Sequence, residues 1–365
     1  MTILTTILSI SLISVALSAI IIVAEMLLNN YGDCRIDINN GERTLEVKGG
    51  DSLLSTLSGQ GIFIPSACGG KATCGLCKVQ VLDGVGPLLP TEEPYLNADE
   101  RKADYRLSCQ VKVKQNLKIL IPEELFNIRE FKTKISKIDQ LTHDIKGFRL
   151  DLVEPDTISF KAGQYVQLYT RPYGKVKEKV FRAYSMASVP SDNKAVELIV
   201  RQVPQGICTT YVLQELKVGD EVKISGPYGD FYLRGQSDEL IFIAGGSGLA
   251  PIRSLILDIL EKQQPYKMTF FFGAVTRRDL YYLDFFADLD EKHEQFRFIP
   301  ALSKPDPADN WQGEVGLITE VVNRHLEDGQ NKEAYLCGSP GMVQACLDVL
   351  DKKGISEDHI YFDKF

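Results

Sequence analysis

"LIFIAGGSGLAPIRSLILDIL", residues 240–260, decides the fold of the C-terminal third of this 365-residue chain. It reads as an apolar strand, a glycine turn and a helix. The theme recurs in "MTFFFGAV" (268–275), which a charged helical pattern follows, and in "EAYLCGSPGMVQACLDVLDKKG" (333–354). Apolar strands alternating with helices predict a parallel sheet covered on both faces. Gly245, Gly246 and Gly248 permit a tight turn and let a pyrophosphate approach the start of the helix. A bare "GGSG" also suits any strand–helix turn, so the reading depends on what surrounds it.

Upstream, the texture changes. Residues 128–233 carry strand patterns such as "FKTKISKI", "IKGFRLDL", "QYVQLYT" and "VELIVRQV", with few long helical patterns. They predict a small antiparallel barrel. Residues 33–122 hold shorter strands, "CRIDI", "RTLEV", "CKVQVL" and "LKILIP", separated by turns bearing Gly and Asn. The expected domains are therefore 33–122, 128–233 and 236–365, behind an N-terminal segment 1–30.

Four of the eight cysteines cluster. "SACGGKATCGLC" supplies Cys68, Cys74 and Cys77, and Cys109 follows in "RLSCQV". The spacing is C-x5-C-x2-C with a distant fourth cysteine. Four thiolates from one loop and one strand can hold two irons and two sulfides. The loop's glycines let backbone N–H groups point at the sulfurs. Structural zinc more often pairs two short Cys-x-x-Cys knuckles, so a [2Fe–2S] cluster is expected. Cys34, Cys208, Cys337 and Cys346 stand alone.

The cluster segment resembles the plant-type ferredoxin domain, a β-grasp fold, although that family's norm is C-x4-C-x2-C. "FRAYSMAS" (181–188) resembles the R-x-Y-S motif of ferredoxin-NADP⁺ reductase-like flavoproteins, and "AGQYVQL", "VPQGICTTYV" and "SGPYGDF" match its neighbours in order. That resemblance implies FAD. Arg182 would neutralise the pyrophosphate, Tyr184 would meet the ribityl chain, and Ser185, followed by Met186, would lie near flavin N5. Gly206, Cys208 and Thr209 would form the second phosphate segment. Gly245 through Pro251 match the family's G-G-x-G-x-A/T-P, and "LCGSPGMV" its C-G-x-P. Cys337 would then lie beside nicotinamide C4, with Gly338 and Pro340 in the same turn. Thr276 and Arg277 would border the nucleotide. Val275 stands where many members have Arg, which favours NADH over NADPH. The terminal Phe365 would cover the flavin ring, with Asp363 a polar neighbour. Ser185, Cys337 and Phe365 are the candidate catalytic groups.

The N-terminus carries no charged side chain from Met1 to Ala24, and the apolar run Ile3 to Leu28 is broken only by Glu25. About 20 apolar residues suffice to cross a bilayer as a helix. No Lys or Arg precedes the run, and no clear small-residue cleavage site follows it, so a retained single-span anchor is expected rather than a cleaved signal peptide. Flavins and iron–sulfur clusters are loaded in the cytoplasm, which puts the catalytic domains on the cytoplasmic side of the inner membrane. The net charge of −8 and the lack of a basic stripe argue against nucleic acid as a partner.

With anchor, cluster, flavin barrel and nucleotide domain in this order, the whole chain resembles the F subunits of sodium-translocating NADH:quinone reductases. "LPTEEPYL", "RLSCQVKVKQNLKI", "RAYSMAS", the terminal "FDKF" and the C-x5-C-x2-C spacing carry the likeness. One departure is large: only "TRPYGKVKEKVF" (170–181) lies where those subunits have a long insertion. The resemblance implies electron flow from NADH through FAD to [2Fe–2S], and integral-membrane partner subunits. Two other functions compete: the reductase component of an oxygenase system, tethered to the membrane, which shares the modules, and a tethered carrier that only relays electrons, against which the complete nucleotide domain argues.

Overall fold

The structure is a computed structural model that describes residues 7, 11–19, 31–122, 125, 126 and 128–364. Residues 7 and 11–19 are helical and exposed. Most of the apolar run lies outside the described residues, and among those described no helix is long and apolar enough to cross a membrane. The chain divides into two compact units between Ile128 and Arg129.

The first unit is a five-stranded mixed sheet. Its strands are β1 (Asp33–Ile38), β2 (Arg43–Lys48), β3 (Lys78–Asp83), β4 (Tyr105–Leu107) and β5 (Leu117–Leu120), ordered β2-β1-β5-β3-β4. β1 and β5 run parallel, Ile36 opposite Leu117. Helix α1 (Leu53–Gly59) buries Leu53, Leu54 and Leu57, and Ser52 caps it by accepting from the Ser55 N–H. A short helix α2 (Ala98–Lys102) opens with a reciprocal capping box between Asn97 and Glu100. The long excursion between β3 and β4 is pinned by Glu92, fully buried and paired with Arg106. The same carboxylate accepts from the backbone N–H of Leu89 and of Leu107.

The second unit contains both the barrel and the parallel sheet. The barrel strands are β6 (Arg129–Gln140), β7 (Ile145–Glu154), β8 (Tyr165–Tyr169), β9 (Phe181–Ser185), β10 (Ala195–Arg201) and β11 (Glu221–Tyr228). All neighbours pair antiparallel in the order β10-β7-β6-β11-β8-β9. A bridge between Met186 and Leu198 joins the two ends and closes the barrel. Alternation explains the interior: Phe131, Thr133 and Ile135 of β6 point inward, and Phe148, Leu150, Val166, Leu168, Val196, Leu198, Val222 and Ile224 complete the core. A short helix α3 (Ile207–Thr210) runs on into a wider turn, Tyr211–Glu215, against that core.

The parallel sheet holds β12 (Glu239–Gly245), β13 (Lys267–Ala274), β14 (Phe296–Leu302), β15 (Glu314–Val315), β16 (Lys332–Gly338) and β17 (Ile360–Lys364), ordered β15-β14-β13-β12-β16-β17. Helices α4 (Leu249–Glu261), α5 (Leu283–Lys292), α6 (Ile318–His325) and α7 (Pro340–Lys352) cover it. Leu240, Phe242, Phe270 and Phe272 face one side, packed with Ile252, Ile256 and Phe286; Ile241, Ile243 and Phe271 face the other, with Val321, Val322 and Leu350. Burial on both faces is why these strands read as continuous apolar runs. Each fully buried Phe contributes roughly 1.5–3 kcal/mol. The strand order reverses between β12 and β16, and in open α/β sheets ligands bind at the carboxyl ends of strands flanking such a switch point.

Candidate functional site

The four clustered cysteines stand as two pairs. Cys74 Sγ lies 3.4 Å from Cys68 Sγ, and Cys77 is hydrogen-bonded to Cys109. Donation from Cys74 pulls the Cys68 thiol down to about 4 and holds Cys74 well above the ordinary thiol range. In the second pair Cys77 is raised and Cys109 lowered to about 7 by the same contact. Among the described residues no three His, Cys, Asp or Glu side chains converge as a single-metal site needs. Two neighbouring thiol pairs instead fit two irons, two thiolates on each. The Lys71 N–H already donates to Cys68 Sγ at 3.2 Å, and the Gln110 amide reaches Cys109 Sγ at 3.7 Å. Such donors stabilise anionic sulfur. Gly75, at φ +69°, lies under the Tyr95 ring, and a Cβ there would come within 2.8 Å of it. Tyr95 belongs to the excursion that Glu92 and Arg106 fasten.

In the barrel, Arg182, Tyr184 and Ser185 lie on β9, with Ser185 opposite Tyr165. Arg182 Nη1 donates to its own neighbour, the Phe181 carbonyl, at 2.7 Å. The Tyr184 hydroxyl is buried without an oxygen or nitrogen partner, beside the Cys208 thiol. Burial raises both groups above their ordinary ranges. A ribityl hydroxyl would give that phenol the oxygen partner it lacks, so these residues fit a flavin. Met186 is fully buried and Cys208 points into the barrel core. Gly206 precedes α3 without a side-chain cap. The Thr209 hydroxyl turns back to its own loop, within 3.4 Å of the Val203 and Gly206 carbonyls, so it shapes that turn.

The nucleotide motifs converge on the switch point. A Cβ on Gly248 would land on the Cys337 carbonyl and the Gly338 nitrogen. Only glycine allows the first turn to pack against the end of β16. Gly245 and Gly338 both meet Met342. The two helices there differ: α7 carries Pro340 in its first turn and Ser339 as cap, its hydroxyl accepting from Met342 N–H, whereas α4, with Pro251 in its first turns, has no side-chain cap. The uncapped N–H groups and the dipole make the start of α4 the better place for a pyrophosphate. Tyr281 Oη donates to the Gly246 carbonyl at 2.8 Å. Two residues past β13, Thr276 caps the turn Arg277–Asp279 in a capping box with Asp279, which commits its hydroxyl, and Arg277 is exposed just beyond. Cys337 is fully buried opposite Asp363 in β17. Burial, with Asp363 nearby, holds its thiol well up, as suits a packing group rather than a nucleophile. Phe365 lies outside the described residues.

Four residues were not singled out by the sequence reading. Arg253 and Ser254 bond to the Ala187 and Ser188 carbonyls, in the segment that follows the strand carrying Ser185. Tyr281 braces the glycine turn, and Arg201, paired with Asp144, reaches over Gly246. "APIRS" and "VELIVRQV" were visible, but their partners lie far away in sequence.

Family models match all three folded segments: a 2Fe-2S iron-sulfur cluster binding domain over 36–114, an oxidoreductase FAD-binding domain over 132–232 and an oxidoreductase NAD-binding domain over 242–348. Among solved structures, the Amycolatopsis cytochrome P450 reductase GcoB shares 29% identity at TM-score 0.72, covering 91% of this chain and 98% of that one. The ferredoxin reductase in carbazole 1,9a-dioxygenase shares 27% at 0.70, covering 92% and 98%. The F subunit of the Na(+)-translocating NADH-quinone reductase of Klebsiella pneumoniae is 37% identical over 97% of both chains, and that of Pasteurella multocida 35%. Identity of this level across nearly the full length of both chains places this protein in the family of Na(+)-translocating NADH-quinone reductase F subunits.

Proposed function

We propose that this chain is the NADH-entry subunit of a membrane quinone reductase, passing electrons from NADH through FAD to a [2Fe–2S] cluster and on to integral-membrane partners. The observation that carries this reading is the full-length likeness to F subunits, joined to a Gly248–Cys337 switch point in the same compact unit as Ser185. In the assignment proposed here, Arg182, Tyr184, Ser185, Met186, Gly206, Cys208 and Thr209 hold FAD. Gly245, Gly246, Gly248, Pro251, Thr276, Arg277, Cys337, Gly338 and Pro340 hold NADH, and Cys68, Cys74, Cys77 and Cys109 hold the cluster. Bound FAD supplies the conversion of a two-electron hydride into single electrons that a cluster can accept. The protein's part is to orient. Ser185 offers its hydroxyl beside the reacting edge, buried Cys337 shapes the nicotinamide site, and the terminal Phe365 yields the flavin face. The boundaries 33–122, 128–233 and 236–365 follow the same assignment. Residues 1–30 act as a single-pass anchor with the catalytic domains on the cytoplasmic side, and sodium transport belongs to the assembled complex.

A second reading has a specific observation behind it. The reductases of the cytochrome P450 and carbazole dioxygenase systems match over nine-tenths of the chain, so a tethered reductase serving an oxygenase uses the same modules. A tagged pull-down from gently solubilised native membranes separates the two. Co-purifying multi-span subunits support the respiratory reading and make sodium dependence the next measurement. A di-iron or Rieske oxygenase, or no stable partner, overturns it.

A further inference from the structure

Arg253 and Ser254 lie five and six residues beyond Gly248, on the helix that opens from the glycine turn. They reach out of the parallel sheet's layer to the barrel. Arg253 Nη1 donates to the Ala187 carbonyl at 2.6 Å and to Glu197 Oε2 at 2.7 Å. Ser254, fully buried, donates its hydroxyl to the Ser188 carbonyl at 2.6 Å. Ala187 and Ser188 follow Ser185 by two and three residues. The same short segment is tied on its other side to β10: Ala187 N–H donates to the Glu197 carbonyl at 2.7 Å, and Glu197 N–H donates to Ser188 Oγ at 3.1 Å. Glu197 is itself held by Arg149. The Arg253 guanidinium lies over the rings of Tyr282 and Phe285, at 5.4 and 5.8 Å, and its Nε is buried without a partner.

We propose that Arg253 and Ser254 are positioning residues for hydride transfer: they bolt the nucleotide-binding turn to the strand end beside the flavin, and so set the distance from nicotinamide C4 to flavin N5. The inference rests on the assignment of FAD to the Ser185 strand and of NADH to the Gly248 turn. Neither residue touches the reacting atoms. Their leverage is short on both sides, two or three residues to Ser185 and about one and a half helical turns to Gly248. A misplacement of about 1 Å costs on the order of 10²-fold in rate.

The test uses the full holoprotein with Arg253→Gln, Arg253→Lys and Ser254→Ala. Rapid mixing with saturating NADH reads flavin bleaching, and deuterium at C4 of NADH identifies the hydride step. Adding NAD⁺ to the oxidised protein reads the shift of the flavin visible band without turnover. Arg253→Gln is expected to slow bleaching about 10- to 100-fold, with FAD content and half-saturating NADH unchanged and the NAD⁺-induced shift diminished. Arg253→Lys, which keeps a donor at the same place, recovers most of both. Ser254→Ala gives a smaller loss of the same kind, and carries the test if Arg253→Gln does not fold. Unchanged bleaching, or a loss that tracks FAD release or melting temperature while the NAD⁺ shift persists, overturns the proposal and leaves a structural strut. Wild-type flavin that NADH does not bleach would instead sink the functional assignment beneath it.

Discussion

Single residues carry the chemistry, and their surroundings set how each can be tested. Cys74 holds one thiol of the first pair. Cys74→Ser is expected to abolish the cluster's visible absorption while NADH still bleaches the flavin; loss of both would show that the modules are not separable. Ser185→Ala should slow hydride transfer more than it weakens FAD retention, measured by rapid mixing against flavin release, and equal loss would reassign the hydroxyl to holding the cofactor. Asp363 offers a pH test. Burial, with Asp230 adding to it, raises its carboxyl to about 6, from about 3.9 in an unfolded chain. A folded value above the unfolded one favours the neutral form, so this contribution is full below about pH 4 and is lost as pH rises through about 6. Asp363→Asn should therefore melt higher than wild type above pH 7, the gap closing as pH falls towards 4. The four clustered cysteines stood out in sequence by their spacing, whereas Arg182, Tyr184 and Ser185 stood out only through a motif that resembles a known family's and keeps its neighbours in order. The pairing of Cys68 with Cys74, and of Tyr184 with Cys208, was not, because spacing along a loop does not say which side chains turn towards each other, and distant ones meet only when strands pair.

Elements fix where those residues stand. β9 presents Tyr184 and Ser185 because the barrel closes through Met186 and Leu198, and α4 starts where Gly248 lets it touch β16. The excursion "LPTEEPYL" is a family mark whose sequence suggests no physical role, and the structure supplies one. Glu92 and Arg106 form a buried pair at 2.5 Å, and Arg106 also donates to the Gly86 and Pro87 carbonyls. The pair holds Tyr95 against the cluster loop. Removing one partner leaves an uncompensated buried charge, which costs about 3–5 kcal/mol. Glu92→Ala should lower the denaturant midpoint of the ferredoxin unit accordingly and shorten the cluster's lifetime. A change below about 1 kcal/mol, the range of surface pairs, would show the pair to be solvated.

For the whole molecule, the decisive question is what the N-terminal segment does. Deleting residues 1–30 is expected to give a soluble yellow-brown protein whose flavin NADH still bleaches, and a deletion variant that sediments with membranes would refute the anchor. The alternation of apolar strands and helices and the scarcity of helical patterns in 128–233 were enough to state a parallel sheet and a barrel, and the cysteine spacing a [2Fe–2S] cluster; the β-grasp fold, FAD and NADH followed from the resemblance of the motifs to known families. Periodicity and spacing are local properties, and burial on one face or two imposes them directly on the order of residues. What the chain order could not disclose is non-local: the β15-β14-β13-β12-β16-β17 order that sets a switch point, the Gly248–Cys337 contact at it, and the bonds from Arg253 and Ser254 to Ala187 and Ser188. Those contacts join segments tens of residues apart, through backbone carbonyls that every residue type carries. No sequence pattern encodes which carbonyl a side chain will find, and packing the elements together settles it.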